Sequence, residues 1–192
     1  MQRARADASA QTRARILGAV HEHAQATLDL DPTLAAIADR AGVSVQTVLR
    51  HFGSRDALLD AAIDAVGREV ADERAAPPGD LDVAVRTLVE HYELRGDFVL
   101  RMLAREPDDA RLARVVALGR AQHRAWVEAV FAPWLDAAGE GRETLIDLLV
   151  VATDLYSWKL LRRDRGLSAS TVEARLRRLV DGVLRTERAL VP

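Results

Sequence analysis

Apolar residues recur at spacings of three and four along nearly the whole chain, and this periodicity restricts the possible fold more than any other feature. Such a spacing places the apolar side chains on one face of an α-helix. The 192 residues include only 11 glycines and 6 prolines, which fall between long periodic segments. No alternating pattern typical of β-strands competes with it. The sequence therefore predicts an all-α protein.

The predicted helices form a short N-terminal group followed by longer ones. The first helix spans about 11–27, and two short helices follow, one ending near Arg40 and one spanning 44–51. Thr33 or Asp31 is the expected N-cap of the first short helix, because a side-chain oxygen there can accept a hydrogen bond from a free backbone N–H. The later helices are predicted at about 54–74, 80–95, 97–105, 108–137, 141–164 and 170–188, the last opening with a capping box at 170–173.

Composition excludes several classes of protein. With 49% hydrophobic and 29% charged residues, the chain has the balance of an ordinary soluble globular protein. The longest apolar run, from Thr144 to Leu161, contains Asp147, Asp154 and Lys159, so it is predicted as a buried helix and not as a membrane span. The absence of cysteine excludes disulfides and thiol chemistry, and the first residues lack the apolar stretch of a signal peptide. We expect a cytoplasmic protein.

Segment 34–51 has the residue spacing of a helix-turn-helix. Ala38 is small enough to let two helices approach closely, and Gly42 suits the positive φ of the turn between them. The apolar contacts between the helices are assigned to Ile37, Ala41, Val43 and Val48. The net charge of −2 gives the chain no overall basic character, so any nucleic-acid binding has to be local.

The rest of the second short helix is then free to face outward. Its amide, hydroxyl, methyl and cationic groups suit base edges and phosphates in a major groove. The outward residues are Val45, Gln46, Thr47, Arg50 and His51, and Ser44, the expected N-cap, is included with them as a DNA-facing residue. The alternative is an Ala-Gly turn between two ordinary core helices.

The stretch from Arg15 to Leu59 resembles, without a gap, the N-terminal domain of TetR-family regulators. It contains Arg-Ile-Leu, then Thr-x-x-x-Ile-Ala-x-x-Ala-Gly-Val-Ser, then Thr-Val-x-x-His-Phe-x-Ser-Arg-x-x-Leu-Leu. The resemblance implies a homodimer that binds a palindromic operator, with Thr33 and Arg55 near phosphates and Phe52 closing the domain core. Four positions depart from the family pattern: Ala24 replaces a core phenylalanine, Leu28 a helix-ending glycine, Leu49 a tyrosine that contacts the DNA backbone, and Gly53 a frequent proline.

The expected organisation is a helix-turn-helix DNA-binding domain at 1–56 and a helical ligand-binding and dimerisation domain at 57–192, joined by a helix at about 54–75. The breaker cluster 75–79, Ala-Ala-Pro-Pro-Gly, is the clearest internal boundary. Arg3 and Arg5 are candidates for an arm entering a minor groove, and a disordered basic tail is the alternative.

The C-terminal two-thirds carries a candidate dimer interface. The segment 141–164 is apolar on nearly all sides, so a helix there has to be covered both by its own subunit and, in this family, by a second one. The last helix is amphipathic. The predicted interface residues are Leu148, Leu155, Leu176, Leu179 and Val183. A buried central helix in a monomer is the alternative.

A candidate effector site follows from aromatic and polar residues on the middle helices. The predicted ligand-binding residues are His91, Tyr92, Met102, His123, Trp126 and Tyr156, and the alternative is ordinary core packing. Asp147 and Asp154, seven residues apart, are expected to be buried on one helix face, with an arginine of the last helix or a cationic ligand as partner. No metal-ligand spacing is found, and no cofactor is expected.

Together these features predict a ligand-responsive DNA-binding transcriptional regulator. The expected mode is a repressor whose partners are double-stranded operator DNA, a second copy of itself and a small-molecule effector that releases it, with no membrane association. A helical interaction adaptor or an activator without a ligand is the alternative. An enzyme is not expected, because no phosphate-binding loop, nucleophile elbow or clustered catalytic residues occur in the sequence.

Overall fold

The computed structural model describes the backbone of residues 2–190 and the side chains of residues 5–186, so the side chain of Arg3 lies outside the described residues. Within that part of the chain all regular secondary structure is helical, which confirms the predicted all-α class. The α-helices are α1 Gln2–Thr27, α2 Leu34–Ala41, α3 Val45–Phe52, α4 Arg55–Glu73, α5 Leu81–Arg105, α6 Ala110–Val130, α7 Ala132–Leu135, α8 Arg142–Ala152, α9 Leu155–Lys159 and α10 Ala169–Leu190. None of the helices in this range is long and apolar enough to cross a membrane.

The chain forms two compact units. The first contains the residues up to Val70 together with Arg105–Ala113, and the second contains Ala71–Ala104 and the chain from Arg114 onward. Helix α4 therefore begins in the first unit and ends in the second. The predicted assignment of DNA binding to 1–56 and of effector binding to 57–192 stays a prediction.

The core of the first unit is formed by helices α1 to α4. Ile16 of α1, Ile37 and Ala38 of α2, Val48 of α3 and Leu58 of α4 are all buried in one cluster. Ala38 is buried in this cluster, and the backbone N–H groups of Gly42 and Val43 donate to the carbonyls of Asp39 and Ala38 at the end of α2. Burial of these apolar surfaces holds the two short helices at a fixed angle.

Helix α1 is followed by a residue with a strained backbone. Leu28 has a φ of 59°, in the left-handed region that favours glycine. Its N–H donates to the carbonyl of Ala24 at 2.8 Å. The family pattern places a glycine at this position, so the structure keeps the helix-ending conformation and Leu28 adopts it at a steric cost.

The second unit contains two apolar clusters. One joins α5, α6, α8 and α10 around Phe131, Ile146 and Val180. The other joins α5, α9 and α10 around Leu88, Trp158 and Leu176. Helix α10 presents a continuous apolar face to both clusters, which explains the strong three- and four-residue periodicity in its sequence.

Helix α5 is one continuous element, whereas the sequence predicts two helices separated at Gly96. The glycine is buried inside the helix, where it lies against the ring of Trp158. A Cβ at position 96 would lie 2.7 Å from Cζ3 and 2.8 Å from Cη2 of Trp158. The glycine is therefore a packing requirement and not a helix break.

We expect Gly96→Ala to lower the free energy of unfolding by about 1–3 kcal/mol, because the methyl group has to displace a fully buried tryptophan ring. Gly119→Ala is the matched control. No atom outside its own helix lies within 4 Å of the Cβ position at Gly119, so this change should stabilise the protein by up to about 1 kcal/mol. Chemical denaturation followed by circular dichroism measures both. Equal effects of the two substitutions would contradict this account of Gly96.

The predicted helix 141–164 is wrong as a single element. Helix α8 ends at Ala152, and Asp154 begins α9 as its N-cap by accepting a hydrogen bond from the Tyr156 N–H at 2.7 Å. Leu160–Asp164 then forms a π-helical turn. The break removes the reason to place Asp147 and Asp154 on one helix face.

The two acidic residues also have different surroundings from those predicted. Asp147 is exposed and lies 3.5 Å from Nη1 of Arg124 on α6, and not against an arginine of the last helix. Asp154 is half-buried and its carboxylate caps α9. Neither is an isolated buried carboxylate, so the argument for a cationic ligand at these positions no longer holds.

Three other helix boundaries differ from the prediction. Helix α1 begins at Gln2 and not near residue 11. The predicted helix 108–137 divides after Val130, and the short helix α7 follows with Pro133 in its first turn. The predicted capping box at 170–173 lies within α10, because Ser168 Oγ accepts the hydrogen bond from the Thr171 N–H at 3.2 Å. The start of α10 differs by a residue or two, as is common at helix ends, whereas the division after Val130 is a break inside the predicted helix.

Candidate nucleic-acid interface and buried polar cluster

Helix α3 is held by local hydrogen bonds that its sequence predicts. Ser44 Oγ accepts from the Thr47 N–H at 3.1 Å, and Gly42 adopts a φ of 64° at the end of α2. Thr33 Oγ1 accepts from the Ala36 N–H at 3.2 Å, so Thr33 and not Asp31 is the N-cap of α2. The caps fix where both short helices begin.

The outer face of α3 combines polar and apolar groups. Val48 is buried and anchors the helix to the core. Val45, Gln46 and Arg50 are exposed, and Thr47 and His51 are half-buried. Leu49, which the sequence analysis treated only as a lost tyrosine, is exposed on the same helix. The side-chain periodicity alone could have placed Leu49 there, because it lies four residues from Val45.

Arg55 is engaged inside the first unit. Its Nε donates to the carbonyl of Pro32 at 2.8 Å, and its Nη2 donates to the carbonyl of Asp31 at 2.7 Å and pairs with the Asp31 carboxylate. Arg111 Nη1 lies 2.5 Å from the same carboxylate. The guanidinium thus ties the start of α4 to the segment before α2, and the predicted phosphate contact of Arg55 stays a prediction. Sequence reasoning missed Asp31 as a partner because the two residues are 24 positions apart.

Four of the predicted ligand-binding residues lie in one buried polar cluster of the second unit. We call this the Arg74 cluster and define it by its eight members. They are Glu73, Arg74, His91, Tyr92, Arg95, His123, Trp126 and Thr153. The other two predicted residues lie elsewhere: Met102 is buried further along α5, and the Tyr156 side chain is 53% exposed.

One half of the Arg74 cluster is the carboxylate of Glu73, which accepts hydrogen bonds from Arg95 and His91. Glu73 accepts from Arg95 Nη2 at 2.6 Å and from His91 Nδ1 at 2.7 Å. The hydrogen bond from Arg95 is the largest influence on Glu73 and lowers its pKa, while burial lowers the pKa of His91 to about 4. Glu73 is therefore ionised and His91 neutral near pH 7.

The other half surrounds Arg74 and defines the protonation of His123. Thr153 Oγ1 donates to the Leu149 carbonyl at 2.6 Å, so at 3.1 Å it accepts from His123 Nε2. The unprotonated Nδ1 is then the acceptor for Arg74 Nη2, which lies 2.6 Å away. Burial, together with the charge of Arg74, lowers the pKa of His123 to about 3. A neutral histidine is thus the partner of a buried guanidinium.

Two aromatic side chains complete the cluster. Trp126 Nε1 donates to the carbonyl of Arg74 at 2.8 Å, and its ring lies 4.6 Å from the Arg74 guanidinium carbon. The hydroxyl of Tyr92 donates to the Thr153 carbonyl at 2.8 Å, and burial raises the pKa of Tyr92. Both aromatic residues are among the predicted ligand-binding residues, whereas Arg74 is not, because no local pattern distinguishes it.

The predicted dimer residues fall into two groups. Leu148 and Leu179 are 42% and 46% exposed, and with half-buried Val183 they line a surface groove of about 560 Å³ on α8 and α10. Leu155 and Leu176 are buried in the core of the second unit, so they do not belong to the exposed face. The groove is bordered by Arg175 and Arg178.

Among residues 5–186, no group of three or more His, Cys, Asp or Glu side chains is placed to hold a metal ion. Residues 30–62 match the family model described as bacterial regulatory proteins, tetR family. The matched segment contains α2, the turn at Gly42, α3 and the first part of α4, which is the helix-turn-helix just described. A comparison with curated proteins gives no match.

Proposed function

We propose that this chain, a DNA-binding transcriptional regulator of the TetR type, is a homodimeric repressor that binds a palindromic operator and is released by a small molecule. The observation that carries the DNA-binding part is the outer face of α3, where Gln46 and Arg50 are exposed on a helix fixed by buried Val48. We expect the protein to work in the cytoplasm, where operator DNA lies, and to have no catalytic role.

The residues of α3 suit direct reading of bases. An exposed arginine can donate two hydrogen bonds to one guanine, and a glutamine can donate to and accept from one adenine. Val45 and Leu49, also exposed, offer apolar contact to thymine methyl groups. We assign Thr33 and Ser44, at the starts of α2 and α3, to nearby phosphates. Thr47 and His51 are assigned to the edges of the same surface.

The proposed dimer is formed by the exposed apolar face of α8 and α10. Leu148, Val151 and Leu179 are large apolar side chains exposed to solvent on these helices, and an exposed apolar patch of this kind is typical of an interface. A two-fold axis would place each groove against its copy. For a homodimer of the TetR type we expect half-sites about 34–36 Å apart or slightly more.

We propose that the effector acts through helix α4. The helix starts at Arg55, which is tied to Asp31, and ends at Glu73, which belongs to the Arg74 cluster. His91, Tyr92, His123 and Trp126 are hydrogen-bonded within that cluster, so an effector enters only by replacing some of these bonds. A ligand that prefers a different position of the end of α4 shifts the protein away from DNA by its differential affinity for the two states.

A helical adaptor protein is the second candidate, and one experiment separates it from a DNA-binding regulator. The protein is incubated with a random pool of DNA duplexes, and bound sequences are recovered and aligned. A regulator should select a palindrome, whereas an adaptor should select none. The selected duplex then serves as the operator in the tests below.

We expect Arg50→Ala to weaken binding to the selected operator by about 1–3 kcal/mol, because the substitution removes a charge-assisted contact to a base. Thermal stability should stay unchanged, since Arg50 is exposed. Mobility shift measures the first effect and thermal melting the second. Arg86→Ala, an exposed arginine on α5, is the control and should bind as tightly as the wild type. An Arg50→Ala protein with wild-type operator affinity would remove Arg50 from the interface.

A further inference from the structure

Arg74 is a buried cation without a carboxylate partner among the described residues. It directly follows α4, and it is 5% exposed. Its hydrogen-bond partner is the neutral His123 ring, and the adjacent carboxylate, Glu73, is occupied by Arg95 and His91. Burying a guanidinium is unfavourable unless an opposite charge compensates it. The positive charge of the Arg74 guanidinium is therefore not compensated by a carboxylate among the described residues.

The geometry of the guanidinium shows which chemical group would match it. Nε and Nη2 lie on the same edge of an arginine side chain and form a fork that fits the two oxygens of a carboxylate. In Arg74 the Nε–H is buried and has no acceptor within the part of the chain that the structure describes. The neighbouring Nη2–H donates to a neutral nitrogen of His123 at 2.6 Å. Of the two N–H groups that could bind a carboxylate, Nε–H is therefore unused and Nη2–H has an uncharged acceptor.

The surroundings of the fork favour an anion with an apolar body. The cluster contains two guanidinium groups, Arg74 and Arg95, against the single carboxylate of Glu73. Burial keeps His91 and His123 neutral at pH 7 by lowering the pKa of each, so the cluster has a net positive charge. The Trp126 ring packs on the guanidinium and is itself only half-buried, which makes it the accessible wall of the cluster. A flat or extended apolar group can lie against it.

We propose that the effector of this protein is an apolar carboxylate, and that the Nε and Nη2 groups of Arg74 bind its carboxylate in the place now taken by His123 Nδ1. The inference rests on the proposed function, because it names the chemical class of the effector. Arg74 directly follows α4, so a ligand bound to it acts at the end of the helix that begins in the first unit.

Paired acids and amides test the charge preference. Benzoate and octanoate are titrated into the wild-type protein beside benzamide and octanamide, which have the same shape without the charge. Calorimetry and Trp fluorescence report binding, and mobility shift reports release of the selected operator. At least one acid should bind about tenfold or more tightly than its amide and should release the operator.

Two variants test Arg74 itself. Arg74→Met removes the charge and the fork and should abolish the preference for the acid, and without ligand it should unfold at the same temperature as the wild type or higher, because an unmatched buried charge has been removed. Arg74→Lys keeps a charge but loses the fork, so acid binding should weaken about tenfold with amide binding unchanged.

The proposal is overturned if neither acid is preferred over its amide, or if the preference survives in both variants. A large loss of thermal stability in both variants would also overturn it, since Arg74 would then be a structural residue. Operator binding without any ligand is measured first in every protein. Its absence in the wild type would contradict the proposed function, whereas operator binding without acid preference contradicts only the effector class.

Discussion

We expect Leu179→Asp to turn the proposed dimer into a monomer and to abolish tight binding to the palindromic operator. Leu179 is 46% exposed in the single chain and lies in the groove lined by Leu148 and Val183. In a two-fold dimer each substitution places two unpaired carboxylates in an apolar interface, at a cost of several kcal/mol. The dimer dissociation constant should rise by about a thousandfold or more. A monomer reaches one half-site alone and forfeits the contacts of the second subunit.

Sedimentation equilibrium and mobility shift measure the two effects together. Leu94→Asp is the matched control, because Leu94 on α5 is 68% exposed and lies outside the groove; this variant should remain dimeric and bind DNA normally. Leu176→Asp should instead unfold the chain, since Leu176 is buried in the monomer core. If Leu179→Asp stays dimeric at micromolar concentration, the interface lies on another surface.

The second large effect concerns pH: the free energy of unfolding should fall by about 3–4 kcal/mol between pH 7 and pH 5. His91 and His123 have folded-state pKa values of about 4 and about 3, whereas a histidine in an unfolded chain has a pKa near 6.5. Below pH 6.5 the unfolded chain takes up protons that the folded chain excludes. Each histidine therefore contributes stability at pH 7 that is lost as the pH falls towards its folded pKa.

The pH window separates the histidines from the carboxylates. Glu73 has a lowered pKa, so its contribution is lost only below about pH 5. Urea unfolding followed by Trp fluorescence reports the second unit, because Trp126, Trp134 and Trp158 all belong to it. His123→Gln should remove about half of the difference between pH 7 and pH 5, and the double variant with His91→Gln should remove most of it.

Tyr92→Phe is the control for a general loosening of the cluster. It removes the hydrogen bond to the Thr153 carbonyl and should lower stability by about 1 kcal/mol at both pH values. The difference between pH 7 and pH 5 should stay as in the wild type. A wild-type protein equally stable at pH 7 and pH 5 would show that the two histidines are not buried as described.

Comparison of particular elements shows how far the sequence could predict the molecule. The helix-turn-helix was predicted residue by residue: Gly42 takes the positive φ, Ser44 caps α3 and Val48 faces the core. The predictions of helix boundaries were wrong where packing or capping, and not the apolar periodicity, determines whether a helix continues. Helix α5 continues through Gly96 because Trp158 packs there, and segment 141–164 divides at a helix cap of Asp154.

The candidate site residues also fall into those that local sequence predicts and those that depend on tertiary contacts. The outward residues of α3 follow from a helical repeat of 3.6 residues, so a short stretch of sequence contains the information. Leu155 and Leu176 were grouped with Leu179, although only Leu179 is exposed, because a helix apolar on many sides does not show which side the same subunit covers. His91, His123 and Trp126 were found as residue types, but their hydrogen bonds were not.

The helical class, the short helices of the first unit and their caps follow from the sequence alone, since these depend on residues at most a few positions apart. Two features follow from the tertiary structure alone: Arg55 is held by Asp31, and Arg74, 49 positions from His123, is buried with no carboxylate partner among residues 5–186. Such pairs form because chain folding brings remote polar groups into a medium of low dielectric constant, where each buried charge or donor needs a partner. The sequence around each residue does not show which remote residue will become its partner.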